Sequence, residues 1–201
     1  MCVECPSKRK LFKLSAGIAA LSAVGALPSI SYAASLTKEQ RDKMTPDDVI
    51  QTLLDGNKRF VSGNVLEHNY RAQQDTSQHG QYPSAVILSC IDSRAPAEII
   101  LDTGIGELFN SRVAGNVSNS DILGSMEFAC DVAGAKVVFV IGHTKCGAIK
   151  GAIADVQLGN LTGLLDKIKP AIAKTDFDGE RAADNYAFVD AVAKTNVELV
   201  I

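Results

Sequence analysis

The sequence predicts an α/β fold, in which a central and mostly parallel β-sheet is flanked by helices and preceded by an N-terminal helical arm. From Ser84 onward, short apolar runs alternate with segments of helical periodicity, and such alternation requires crossover connections and therefore parallel strands. The runs are continuously rich in Val, Ile and Leu, as in strands covered on both faces. The chain has 201 residues, 46% of them hydrophobic, which suffices for one domain with a core.

Residues 1–33 fit the pattern of a secretory signal peptide. A basic segment at 8–13 precedes an apolar stretch at 14–27, and Ser31-Tyr32-Ala33 then fits a small-x-small cleavage site. A retained anchor helix is the alternative, but the stretch is shorter than the roughly 20 residues that span a bilayer, and Pro28 interrupts it. We expect a periplasmic protein without membrane attachment after cleavage. The export route stays open, because residues 7–13 resemble a twin-arginine motif with Lys8 in place of an arginine.

Residues 34–83 are expected to form the helical arm and a loop. Helical spacing runs over 36–61, with Thr45 as N-cap and Pro46 in the first turn. Residues 62–83 are polar and predict a loop, with a short helix near Tyr70. His68 and His79 are expected at the surface, since neither has a partner at ligand spacing.

Residues 84–201 are expected to form the main α/β domain. The predicted strands are residues 85–88, 107–113 and 136–141. One helix is predicted to start at residue 96, and four more are predicted over 121–132, 146–156, 161–174 and 182–201. The last helical pattern reaches the final residue without a following strand. The net charge is −3 and the chain has no tryptophan and no basic stripe, which argues against nucleic-acid binding.

Two segments carry the chemistry, and each follows a predicted strand: Cys90-Ile-Asp92-Ser-Arg94 and His143-Thr-Lys-Cys146-Gly147. Two thiols, an imidazole and a nearby carboxylate are ligands that zinc prefers. The carboxyl ends of parallel strands meet at one sheet edge, where open sheets bind ligands. A helix start at Cys146 would also favour its thiolate. The sequence therefore predicts a zinc site at that edge.

The fourth zinc position depends on Asp92. This carboxylate could ligate zinc and close a purely structural site, or it could pair with Arg94 and leave the position to a water of pKa about 7. A disulfide between Cys90 and Cys146 is a further alternative, but it leaves the nearby histidine and aspartate without a role. Two other residues receive ordinary structural interpretations: Cys130 as a small buried hydrophobe, and Arg112 as a buried ion-pair partner.

With these motifs the chain resembles the β-class carbonic anhydrases. The family pattern C-x-D-S-R is similar to residues 90–94, and its G-H-x-x-C-G stretch is similar to residues 142–147. Between them, Arg112-Val-Ala-Gly-Asn116 resembles the family's R-N-A-G-N, with Val113 in place of asparagine. The resemblance extends from about Leu54 to the C-terminus and implies the β-carbonic anhydrase fold. Members of the family continue into another strand after the last helix, so the resemblance implies that the domain over 84–201 lacks its final strand.

The resemblance also implies an activity, which is the zinc-dependent reversible hydration of CO2 to bicarbonate and a proton by zinc-bound hydroxide. It implies Cys90, His143 and Cys146 as zinc ligands, and Asp92 with Arg94 as a gating dyad whose aspartate takes the fourth zinc position in the inactive state. The expected substrate contacts are Gln81, Phe109 and Gly142. The family further implies a homodimer or a higher even oligomer, with each pocket completed by the neighbour. Hydrolysis of CS2 or COS at the same zinc remains an alternative.

Overall fold

The computed structural model describes residues 31–200. The predicted signal peptide, apart from its last three residues, lies outside this range, as does Ile201. Within residues 31–200, none of the helices combines the length and the apolar character that crossing a bilayer requires.

A three-stranded parallel sheet forms the centre of the domain. Its strands are β3 (Ala85–Ser89), β4 (Leu108–Arg112) and β5 (Val137–Ile141), in the order β4-β3-β5. Every residue of the central strand β3 is buried, as its unbroken apolar sequence predicts. In register, Ser89 lies opposite both Arg112 and Ile141, so the carboxyl ends of all three strands are level. The predicted α/β class is confirmed.

The helical pattern over residues 36–61 forms two helices, and the second begins at the predicted cap. These are α1 (Lys38–Lys43) and α2 (Pro46–Ser62). Pro46 disfavours helical geometry in the residue before it, and Thr45 is accordingly extended with ψ 162°. Thr45 caps α2 as predicted, since its side chain accepts from the amide of Asp48, whose carboxylate accepts from the amide of Thr45.

The helices of the main domain also begin and end at residues with a local cause. The predicted helix over 161–174 is divided in two near Pro170, because proline within a helix removes an amide donor and clashes with the preceding turn. The last helix begins four residues after its predicted start at 182, because the Asn185 side chain accepts from the amides of Ala187 and Phe188 and caps the helix there. The helices are α4 (Ala97–Ile100), α5 (Ser120–Glu127) with a π-helical turn at Phe128–Val132, α6 (Gly147–Ile153), α7 (Gly159–Asp166), α8 (Lys169–Lys174) and α9 (Tyr186–Val200).

The arm is attached to the main domain through buried polar groups, and this corrects one prediction. The short strands β1 (Ser31–Tyr32) and β2 (Glu67–His68) pair in parallel and lead into α3 (Tyr70–Ser77). The side chain of His68, expected at the surface, is buried: its Nε2 lies 3.1 Å from Asp102 Oδ1, and its Nδ1 accepts from the side-chain Nε2 of Gln73 at 3.3 Å. The carboxylate that draws this histidine inward follows α4, far along the chain.

Candidate metal centre

Three side chains from two strand ends form a compact ligand cluster. Cys90 directly follows β3, His143 lies two residues after β5, and Cys146 caps the start of α6. The level strand ends bring them together, so that one ligand atom from each lies within 4.8 Å of the others. Among residues 31–200 this is the only such group of three or more His, Cys, Asp or Glu side chains.

The geometry of this cluster suits zinc. The two sulfurs are 3.9 Å apart, close to the roughly 3.8 Å edge of a tetrahedron with Zn–S bonds of about 2.3 Å. A disulfide would need about 2.05 Å between the sulfurs, and both cysteines are free. The disulfide alternative is therefore not what this structure contains.

The ring of His143 is oriented for ligation. Its Nδ1 lies 3.0 Å from the carbonyl oxygen of Thr144 and donates to it, which leaves the Nε2 lone pair free. That Nε2 is buried and has no hydrogen-bond partner among the described residues. A buried polar atom without a partner is costly unless something else binds it, and a metal ion between the two sulfurs and this nitrogen would do so.

The two thiols influence each other's ionisation. A hydrogen bond from Cys146 lowers the pKa of Cys90 against the opposing effect of burial, and that same contact together with burial raises the pKa of Cys146. The amide of Gly115 also donates to the Cys90 sulfur at 3.3 Å. These contacts favour the thiolate form of Cys90, which is the form that binds a metal.

Asp92 is paired with Arg94 beside the cluster. Arg94 donates from Nε to Oδ1 at 2.9 Å and from Nη2 to Oδ2 at 2.8 Å, and its backbone amide adds a third bond to Oδ1 at 2.9 Å. These hydrogen bonds hold the pKa of Asp92 well below its usual range. The carboxylate lies close to the site, with Oδ2 3.8 Å from Nδ1 of His143, but it belongs to the arginine pair and not to the three-ligand cluster.

Arg112 differs from its predicted role. It is exposed and forms no ion pair with any described residue; instead its Nε donates to the carbonyl oxygen of Cys90 at 2.9 Å, and its Nη2 donates to that of Asp92. The register explains this, because Arg112 ends β4 directly opposite Ser89. Its guanidinium therefore fixes the backbone that carries the first ligand.

One predicted substrate contact, Gly142, lies at the site. It precedes His143 and lines with it an open groove of about 460 Å³. A Cβ at Gly142 would lie 2.8 Å from Cγ2 of Val197, so α9 leaves room here only for glycine.

The other two predicted substrate contacts lie away from the metal cluster of this chain. Gln81 precedes β3, so the whole strand, about 16 Å long, separates it from the cluster at the strand's far end. Phe109 pairs in register with Val86 and meets the ring of Phe128 at 6.4 Å, lining a separate groove. Cys130, expected to be buried, is half-buried near these rings, and burial raises the pKa of its thiol.

Helix α9 supplies supporting contacts that the sequence did not predict. Lys145, in the left-handed region at φ 54°, donates its amide to Oδ1 of Asp190 at 2.7 Å. Asn196, further along α9, donates to the carbonyl oxygen of Gly115. The sequence contained one indication of these contacts: Asn196 stands at a position where the helix pattern predicts an apolar side chain.

Comparison with known proteins identifies the family of this chain. The family model described as carbonic anhydrase matches residues 85–201. Carbonic anhydrase 2 of Mycobacterium tuberculosis is 36% identical over 142 residues, which cover 68% of this chain and 69% of that protein. The carbonic anhydrase of Mycolicibacterium smegmatis is 36% identical over 128 residues, or 61% of this chain and 62% of that one.

Solved structures give the same result. A tetrameric β-carbonic anhydrase from Sordaria macrospora superposes with a TM-score of 0.57 at 27% identity, over 77% of this chain and 79% of that one. A β-carbonic anhydrase from Aspergillus fumigatus also gives a TM-score of 0.57 at 27% identity, over 76% and 73% of the two chains.

A parallel sheet with a buried Cys2His cluster at its carboxyl edge defines an α/β protein with a zinc-type metal site. With the family match over residues 85–201, the chain belongs to the carbonic anhydrase family, in its β class.

Proposed function

We propose that this protein catalyses the reversible hydration of carbon dioxide to bicarbonate and a proton, with zinc as its metal. The observation that carries the proposal is the Cys2His cluster, with its unpartnered imidazole nitrogen, beside an aspartate that an arginine holds away from it. When bound, zinc lowers the pKa of a coordinated water to about 7 and so supplies a hydroxide nucleophile at neutral pH.

The residues of this chain divide the remaining work. Cys90, His143 and Cys146 would hold the metal and leave its fourth position open. Asp92 would accept a hydrogen bond from the nucleophile and so orient it, because the lowered pKa keeps its carboxylate ionised. Arg94 would keep that carboxylate from becoming the fourth ligand, because the two-bond fork fixes both carboxylate oxygens.

Stopped-flow CO2 hydration with the zinc-loaded protein tests this proposal. We expect turnover that rises through about pH 7, the pKa of the coordinated water. The variant Asp92→Asn should keep zinc but lose most turnover, whereas Asp178→Asn, at an exposed aspartate between α8 and α9, should change neither. Rates at the uncatalysed level from pH 6 to 9 would contradict the proposal, and so would full turnover in Asp92→Asn. A parallel assay with CS2 shows whether that substrate is preferred.

We also propose that the protein acts as a homodimer or a higher even oligomer. Support comes from Gln81 and Phe109, which lie away from the cluster of their own chain and would need a neighbouring subunit to reach one. Apolar side chains are also exposed around α5, including Leu123 (49%), Phe128 (53%) and Val132 (73%). Light scattering coupled to size exclusion measures the mass, and a monomer at micromolar concentration would contradict this assembly.

A periplasmic location is proposed from the N-terminal sequence alone. Its support is the basic segment, the apolar stretch and the small residues at Ser31 and Ala33. Fractionation of cells that express the full chain, with N-terminal sequencing of the product, measures it. A cytoplasmic product that still begins at Met1 would contradict the proposal.

A further inference from the structure

Gly115 links the metal cluster to helix α9. Its amide donates to the Cys90 sulfur at 3.3 Å, and its own carbonyl oxygen accepts from Nδ2 of Asn196 at 2.9 Å. The residue has φ 67° and ψ 16°, in the left-handed region that favours glycine. A Cβ here would lie 2.7 Å from Cδ1 of Ile168 and 3.3 Å from Cβ of Ala148, so the space also requires glycine.

The backbone of a glycine is intrinsically free to rotate, so contacts from outside the residue must fix its direction. Asn196 supplies such a contact, since it holds the carbonyl oxygen and thereby limits rotation of the adjoining backbone. If that hydrogen bond is lost, Gly115 can turn, and its amide no longer points reliably at the sulfur. The sulfur would then lose a donor that withdraws charge from it.

Asn196 is itself unusual in its surroundings. It is 2% exposed, and the other buried residues of α9 are apolar: Phe188, Val189, Val192 and Ala193. Burying a carboxamide costs free energy unless it is hydrogen-bonded. Within residues 31–200, the side chain of Asn196 makes one hydrogen bond, and its acceptor is the carbonyl oxygen of Gly115.

We infer that Asn196 is a positioning residue for the metal centre, acting through Gly115 to hold a hydrogen-bond donor on the Cys90 sulfur. This inference rests on the proposed function, because it requires that the cluster bind a metal. Hydrogen bonds to ligand atoms tune both the affinity of a site and the charge that the ligand donates. Without the donor, the Cys90 sulfur would give more charge to the metal, and the site would be less well ordered for binding it.

The variants Asn196→Leu and Asn196→Ala, loaded with Co(II) in place of zinc, test the inference. Co(II) bound to a thiolate has a near-ultraviolet sulfur-to-metal charge-transfer band, and its energy falls when the sulfur loses a hydrogen-bond donor. We expect the band to move to longer wavelength in both variants, and zinc affinity to fall about tenfold. If Asn196→Leu does not fold, the smaller side chain of Asn196→Ala still fits the space and allows the same measurement.

Val189→Ala is the matched control. Val189 is a fully buried residue of the same helix without a side-chain hydrogen bond, so its truncation removes packing and leaves Gly115 held. An unshifted band in the Asn196 variants overturns the inference, as does an equal shift in Val189→Ala. The measurement needs no turnover. An inactive parent protein with a shifted band in the variants would therefore contradict the proposed function but support the positioning role.

Discussion

Replacing Asp102 with alanine should detach the N-terminal arm from the domain. The carboxylate of Asp102 is 2% exposed and accepts from the guanidinium of Arg59, the ring of His68 and the amide of Leu66, the last at 3.2 Å from each oxygen. Asp102→Ala leaves all three donors without this acceptor. Breaking a buried charged network from one side costs about 3–5 kcal/mol.

The size of this loss follows from the separate donors. His68, with a side chain 5% exposed, and the amide of Leu66 would each be left unsatisfied, at about 1–3 kcal/mol apiece. Arg59 adds less, because its side chain is 32% exposed and water can replace the carboxylate. The two larger contributions give about 2–6 kcal/mol together, which agrees with the loss of about 3–5 kcal/mol expected for a broken buried network. Such a loss is a large part of the roughly 5–15 kcal/mol that stabilises a typical domain.

Urea unfolding of the metal-free protein, followed by circular dichroism, measures the loss. In a thermal scan it corresponds to a Tm lower by about 6–20 °C, at roughly 2–4 °C per kcal/mol for a chain of this size. Asp102→Asn keeps one oxygen acceptor and should lie between the alanine variant and the parent. Asp55→Ala, which removes a surface pair with Lys58 on α2, is the control and should not move the midpoint. If Asp102→Ala behaves like this control, the network does not hold the arm.

Three further outcomes are expected. Gly56→Ala should destabilise the protein by about 2 kcal/mol although alanine favours helices, because a Cβ at Gly56 would lie 1.8 Å from the carbonyl oxygen of Leu101. Gly163→Ala is the matched control in the same urea assay: a Cβ there has no other atom within 4 Å, so this variant should stabilise the protein by up to about 1 kcal/mol. Because Arg94 lowers the pKa of Asp92, the carboxylate should stay ionised in the folded protein at pH 4.5, and the pair should be lost only as the pH falls below the ordinary aspartate pKa of about 3.9. Carbon-13 carboxyl shifts of the metal-free protein measure this titration, and a midpoint above pH 4 would refute the expectation. His143→Ala should weaken zinc binding more than about 100-fold in a chelator competition, while His79→Ala, at an exposed site, should not change it.

Features set by neighbouring residues in the chain were predictable from the sequence. The apolar runs predict β3 and β5 to within about a residue at each end, and the strand predicted over 107–113 contains β4. The Thr45-Pro46 pair predicts the start of α2. The metal cluster was also accessible, because both of its segments follow strands and parallel strands have their carboxyl ends at one edge.

Features set by distant residues were not predictable in this way. His68 was assigned to the surface because its partner, Asp102, lies 34 residues further along the chain. Arg112 was assigned to an ion pair because the register that places it opposite Ser89 cannot be read from either strand alone. Asn196 lies 81 residues from Gly115, and only the packing of α9 on the sheet edge brings the two together.

The separation of the ligands along the chain determines when the protein can acquire its metal. His143 and Cys146 are neighbours on one loop, but Cys90 is 56 residues away from Cys146 and reaches it only through the pairing of β3 with β5. An unfolded chain therefore presents at most two of the three ligands together, and high-affinity loading must follow folding. For an exported protein, the compartment in which the chain folds would decide which pool of metal ions it draws from. A chain that crosses the membrane unfolded would be loaded outside the cytoplasm, and a chain that crosses folded would already carry its metal.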